Sequence, residues 1–266
     1  MPKTALQRIE DTFSDLDLWD RRTSAGFVPQ PGSVLALDDE DWKPWRLSQL
    51  AFGGLAAAQD HLEAIRVHIE ARRLFPLATD TLLRGALLGA AQAVWLLAPD
   101  DRAERLDFAR CAAAEMHKRH REWLTDLRKI PAEPHEGTET VYAHVMERED
   151  ELMAKRAAVG QSRKFEATNI IERAADTVFG PATVTEARTV WRSLSGAAHG
   201  LAWPLLGRTG TEQTSAADGQ GMADFQSGGS LDASLNAYLL AYGLSVKGWE
   251  LLDLRGSAPA QTVRDR

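Results

Sequence analysis

The sequence predicts an all-α protein, a bundle of about six to eight helices, with one short β-hairpin allowed within residues 203–227. Three observations carry that prediction. Apolar residues recur in steps of three and four through long stretches, over 45–73, 81–98 and 100–129. Prolines and glycines fall between such stretches, at Pro76, Pro99, Pro131, Gly160 and Gly180-Pro181, where helices stop. No long segment alternates with the period of a strand.

Taken in order, residues 4–16 place Leu6, Ile9, Phe13 and Leu16 on one helical face. The pattern disappears from Arg21 to Pro44, where Pro29, Pro31, Gly32 and the run Asp38-Asp39-Glu40-Asp41 predict a loop or arm, ordered where Trp42 and Trp45 dock. The helix over 45–73 carries the seam Leu47, Ala51, Leu55, Ala58, Leu62, Ile65 and Ile69. His61 and His68 lie on its flank two turns apart, which is too far to share a metal ion without ligands from elsewhere.

Thr79 or Asp80 is suited to cap a helix over 81–98, the most apolar of the chain. Arg84, Gly85, Gly89 and Gln92 interrupt its apolar run, so it reads as a central buried helix and not a membrane span. Gly85 and Gly89 would let another backbone approach, and Arg84 requires a carboxylate or a place at the rim. Asp100 and Asp101 suit the start of the helix that runs to Lys129, whose seam includes His120. The basic run 117–121 spreads around that helix and predicts a solvated face with His120 half buried.

After a loop over 131–137, a charged surface helix spans 139–159, with Val141, Val145 and Leu152 as its narrow apolar stripe. A helix over 164–179 turns Ile171, Ala174 and Val178 inward. The next helix, 183–200, opens on Thr183-Val184-Thr185-Glu186, which matches a capping box, and closes on His199-Gly200 before Pro204. Residues 205–229 are Gly-, Ser- and Thr-rich and read as a long loop, with a hairpin pairing the Trp203 region with 222–225. Ser230 caps a last helix over 231–254. The predicted organisation is an N-terminal helix and acidic, Pro-containing arm (1–44), a helical bundle domain (45–254) and a flexible tail (255–266).

Composition bounds the function. The 266 residues, 44% of them hydrophobic, suffice for a substantial core. The single Cys111 excludes an internal disulfide framework and a cysteine-based zinc site, and the first residues lack the apolar run of a signal peptide, so the chain reads as cytoplasmic. A formal net charge of −7 argues against a surface built throughout for nucleic acid, though not against a local basic cleft.

The most specific chemistry lies on the helix over 183–200. Val184, Ala187, Trp191, Leu194 and Ala198 form its apolar seam, while Arg188, Arg192, Ser195 and His199 fall on the neighbouring stripe. Arg192 and His199 stand about 10 Å apart along the axis and on one side. A guanidinium there can hold a phosphate and an imidazole can move a proton near neutral pH, with Arg188 adding charge and Ser193 or Ser195 a hydrogen bond. The competing explanation is structural: a histidine before a terminating glycine suits the free carbonyls of a helix end, and both arginines can pair with acids next door.

Arg192 through His199 fits the Arg-x(4–6)-His pattern, with six intervening residues and the polar Ser193 after the arginine, and in this the chain resembles the HEPN superfamily (higher eukaryotes and prokaryotes nucleotide-binding). The predicted bundle and the late position of the motif are similar to that superfamily as well. The resemblance implies a metal-independent endoribonuclease of a bacterial defence or toxin–antitoxin system, acting on RNA without a cofactor. It also implies a homodimer with two motifs facing one cleft, and a cognate antitoxin or defence partner protein. Arg192 and His199 would be the catalytic pair and Ser193 the adjacent polar residue, although that position is most often Asn, Asp or His in active members. The alternative is a non-catalytic all-α binding or assembly protein in which Arg192 and His199 are structural.

Overall fold

The computed structural model describes residues 2–130 and 136–259. The loop expected at 131–137 and the tail expected at 255–266 therefore fall largely outside the described residues. The protein is an all-α, multi-helix bundle with one short antiparallel hairpin. Its elements are α1 (Ala5–Glu10), α2 (Phe13–Ala25), α3 (Val34–Asp39), α4 (Leu47–Glu70), α5 (Pro76–Leu97), α6 (Arg102–Leu127), α7 (Glu136–Ala158), α8 (Ala167–Phe179), α9 (Val184–Ala198), β1 (Thr211–Gln213), β2 (Phe225–Ser227) and α10 (Leu231–Gly256). Among the described residues no helix is long and apolar enough to cross a membrane.

The chain divides into two compact units. The first comprises residues 1–27, 51–95 and 167–254. At its start, the expected single helix is two. Thr4 and Gln7 form a reciprocal capping box on α1, and Thr12 turns the chain into α2, which continues nine residues past the predicted end at Leu16 and buries Trp19. The buried Thr12 hydroxyl lies 2.7 Å from that of Tyr238, tying this start to α10. The seam of α4 is buried as its spacing requires, with Leu55, Ala58 and Leu62 wholly inaccessible. A Cβ on Gly54 would lie 2.5 Å from the Gly89 carbonyl oxygen, so α4 and α5 touch backbone to backbone. Gly85 instead makes room for the His61 ring.

Helix α5 begins at Pro76, not at Thr81. A proline in the first turn has no N–H to lose, so the residue that ends α4's continuation also starts the next helix. Thr79 and Asp80 are thus interior residues, not caps, and Asp80 receives a 2.7 Å ion pair from Arg208. The hairpin pairs Thr211 with Ser227 and Gln213 with Phe225, while the Trp203 region, expected to be a strand, is a 3₁₀ turn over Trp203–Leu205. Pro204 fits such a turn better than a paired strand. Ser230 accepts from the Ala233 N–H, as its capping role requires.

The second unit comprises residues 28–50, 96–166 and 255–266. Its acidic run is not a loose arm. Ser33 caps α3 through the Ala36 N–H, and the carboxylates that follow are tied to α6 and α4. Asp38, 1% exposed, accepts from Arg102 at 3.0 Å and Arg105 at 2.8 Å. Asp39 accepts from the Ser48 N–H and hydroxyl at 2.9 and 2.6 Å. Asp41 takes Arg110 in a bidentate pair at 2.6 and 2.8 Å and a further contact from Lys155 at 3.0 Å. Trp42 and Trp45 do dock, edge-on to His117. His117 is the buried histidine of the basic run, whereas His120 is half buried as expected. Helix α6 starts with Asp101 accepting from the Glu104 N–H at 2.9 Å. Arg255, at the end of α10, donates to the Leu97, Ala98 and Pro99 carbonyls and so caps the end of α5.

Candidate functional site

Helix α9 carries the predicted site. The expected capping box at its start is absent. Gly180, at φ +85°, leads into a 3₁₀ turn over Pro181–Thr183, and Thr183 itself is already helical at φ −87° and ψ −14°. Its hydroxyl makes no cap bond; the turn's own bonds, Val184 N–H to the Pro181 carbonyl among them, take up donors at this end. Glu186 is left exposed, with Asn236 donating to it at 3.5 Å.

The inward face of α9 is Ala187, Trp191, Leu194 and Ala197. The predicted seam had Ala198 where Ala197 lies, and Ala198 is exposed. At 100° per residue the buried face drifts by one position over the last turn.

The stripe divides into engaged and free residues. Arg188 Nε lies 2.5 Å from Glu172 Oε1 of α8 but off the direction of its N–H, so the contact is an ion pair and not an aligned hydrogen bond. Ser195 accepts from Arg84 Nε at 3.2 Å, and the Arg84 guanidinium sits 4.6 Å from the Trp191 ring centroid. Of the two expected places, a carboxylate or the rim, the half-buried Arg84 takes no carboxylate and is held by a cation–π contact and a hydroxyl. Ser193 is half buried and, by helical spacing, points well away from the Arg192 side of the cylinder.

Arg192 and His199 are both exposed, and neither side chain has a hydrogen bond or ion pair with another described residue. The end of the helix explains why His199 is not needed as a cap. Gly200, at φ +70°, allows the Schellman turn: Gly200 N–H donates to the Ala197 carbonyl at 2.9 Å and Leu201 N–H to the Gly196 carbonyl at 3.0 Å. His199 N–H takes the Ser195 carbonyl at 3.1 Å. Backbone donors thus satisfy the carbonyls that the imidazole would otherwise serve.

Gly196 lies four residues after Arg192 and three before His199, on the ridge between them. A Cβ there would fall 2.7 Å from Trp203 Cζ2 and 2.8 Å from Pro204 Cγ. The missing side chain lets the Trp203 indole lie on the ridge, and 50% of that residue remains exposed. Sequence reasoning missed Trp203; the signal was a mid-helix glycine followed, past the helix end, by Trp-Pro.

The arrangement offers one uncompensated guanidinium, one free imidazole and an aromatic face on the turn between them. An apolar cavity of about 210 Å³ beside α9, lined by Phe179, Thr183, Glu186, Val190 and residues of α10, opens on the opposite side of the helix, and none of the stripe residues lines it. His61 and His68 remain apart, the first against Gly85 and the second edge-on to Phe75. No group of three or more His, Cys, Asp and Glu among the described residues is placed to hold a metal ion. No family model, curated protein or solved structure matches the chain.

Proposed function

We propose that this chain is a HEPN-like, metal-independent endoribonuclease of a bacterial defence or toxin–antitoxin system, active in the cytoplasm as a homodimer and held by a cognate antitoxin or defence partner. In this reading Arg192 clamps the scissile phosphate, and His199 moves the proton of the 2′-hydroxyl or of the leaving oxygen. Trp203 gives an unpaired base a face to stack on. Arg188 and Ser195, already engaged by Glu172 and Arg84, act by holding the ridge. The observation that carries the reading is that Arg192 and His199 stand exposed on one ridge without a partner, while the helix end they flank is capped by backbone alone.

The test is cleavage of a single-stranded RNA in EDTA by the wild type, Arg192→Ala and His199→Ala. The expected result is a loss of about 100-fold or more in each variant, the range of a positioned proton-transfer group. Equal rates for wild type and His199→Ala would remove this histidine from the mechanism. Sedimentation of the wild type checks the dimer.

A second reading, a non-catalytic binding or assembly protein, draws on a different observation. Leu201, Trp203 and Leu206 follow the end of α9 and are each about half exposed. If they bury against a partner protein, Trp203→Asp abolishes the complex, and no variant on the ridge changes RNA.

A further inference from the structure

Arg156, in the last turn of α7, is 7% exposed, and no carboxylate among the described residues pairs with it. One Nη donates to the Arg163 carbonyl, the other lies 3.9 Å from Met153 Sδ, and Nε is buried with no hydrogen-bond partner among the described residues. Two other arginines of the same unit that are buried among the described residues are treated differently: Arg105 has Asp38 and Arg110 has Asp41. A guanidinium out of water without a counter-charge is among the costlier features a fold can retain.

Arg156 borders a cavity of about 350 Å³ between α6, α7 and the segment 163–166. Lys118, Arg119, Arg163 and Lys164 line it with Glu115, Glu149 and Glu166, the last of which has a partner of its own. Most of those charges are spoken for. Glu115 is taken by Arg119 at 2.7 Å, Glu149 by Arg121 at 2.6 Å and Arg163 by Asp107 at 2.6 Å. Lys118 and Lys164, both exposed, have no carboxylate partner among the described residues. The uncommitted charge facing the cavity is one guanidinium deep in the wall and two ammonium groups nearer solvent. Cys111, also on the wall, has its thiol pushed up to about 11 by burial, so it remains an S–H and adds no competing negative charge.

We propose that this cavity binds a small phosphate monoester, with the Arg156 guanidinium, which lines the wall without a carboxylate, supplying the deep positive charge and Lys118 and Lys164 offsetting the rest of the dianion. The volume sits at the small end of ligand pockets and exceeds one phosphate, which favours a sugar-sized ester over a polymer. This site is independent of the reading of α9.

The experiment is calorimetric titration and thermal melting of the whole chain with ribose 5-phosphate, inorganic phosphate and ribose, at constant ionic strength. Ribose 5-phosphate is expected to give a saturable single site and a rise in melting temperature, more tightly than inorganic phosphate, and ribose no response. Arg156→Met is expected to abolish the response while melting at or above the unliganded wild type, because an apolar side chain replaces an unpaired buried cation. The double variant Lys118→Gln and Lys164→Gln, at exposed positions that leave the fold alone, is expected to weaken binding by roughly thirtyfold. Inorganic phosphate binding as tightly as ribose 5-phosphate would overturn the ester assignment. No saturable binding by the wild type, or undiminished binding by either variant, would overturn the site.

Discussion

Asp38 and Arg105 are almost wholly out of water and bonded to each other, whereas Arg192 and His199 are in water and bonded to nothing in the described chain. Both sets sit on helices of ordinary sequence, and both would be scored as charged residues in a pattern. The difference teaches where charge is spent. Around the acidic run, ion pairs specify which segment lies against which helix, since no apolar seam runs through 28–46 to do so. On α9 the apolar seam and the Schellman turn already fix the helix, so the ridge charges are not what holds it.

The widest break in that comparison comes from Asp38→Ala. It leaves Arg105 buried, with only the Pro99 and Asp100 carbonyls as acceptors, and leaves Arg102 with the Leu37 carbonyl alone. Loss of one partner of a buried pair costs about 3–5 kcal/mol. Urea denaturation followed by far-UV dichroism measures it, and a loss below about 1 kcal/mol, typical of surface pairs, would mean that the acidic run does not organise this unit.

A smaller effect is expected at Gly196→Ala, where the new methyl meets Trp203 and Pro204 inside van der Waals distance. The indole is half exposed and can swing out, so the cost is that of modest overpacking, about 1–3 kcal/mol. Because the chain holds other tryptophans, the displacement is read as the difference in fluorescence between Gly196→Ala made in the wild type and in Trp203→Phe. An indole tied to the ridge gives a shift only in the former.

Acid should next separate two titratable groups within the unit that holds the acidic run. His117 is buried, its Nε2 has no hydrogen-bond partner, and burial holds its pKa below the ordinary 6.5 despite Glu149, with His120, His144 and Arg148 adding to the depression. The unfolded chain therefore takes up this proton at a higher pH than the folded one, and stability is lost as pH falls below about 6.5 until the folded imidazole is itself protonated. Burial alone would raise Asp41, but hydrogen bonds from Arg110 and Lys155 carry it below the usual carboxylate range, so its contribution is lost only at lower pH. Melting temperature against pH in the wild type and in His117→Phe checks this. Identical slopes between pH 7 and 5 would show that His117 carries no such linkage.

Much of the fold was legible because helical period is a local signal. The seam of α4, the acidic start of α6, the cap at Ser230 and the existence of a hairpin all follow from residues within a turn or two of each other. The partners of Asp38 and Asp41 were not legible, since they lie 64 to 114 positions away and no spacing rule reaches that far. The Thr183 box failed for a local reason that could have been weighed: Pro181 fits the first position of a tight turn, which draws Thr183 into helical geometry before it can cap. Spacing runs the seam through His120 and so turns His117 toward the surface, since three positions change the facing of a helix by about 60°; the fold instead buries His117. Of the candidate site, spacing places Arg192 and His199 on one ridge, but the tertiary contacts are what separate them from Arg188 and Ser195, which have partners, and from Ser193, which faces elsewhere.

The sharpest form of the comparison is the smallest effect. Arg192→Ala and His199→Ala remove charged or titratable groups that brace nothing, so each should change stability by no more than about 0.5 kcal/mol. Arg188→Ala, which breaks the contact with Glu172, should cost more than either, within about 1 kcal/mol for a half-exposed pair. Denaturation of the three variants side by side puts them in order. If Arg192→Ala or His199→Ala proves the most destabilising, these side chains serve the fold through contacts made only in solution or in an assembly, and the explanation for their exposure must change. If the order holds, retained stability makes any loss of RNA cleavage in the same two proteins a statement about chemistry, because the folded fraction is then the same in every assay.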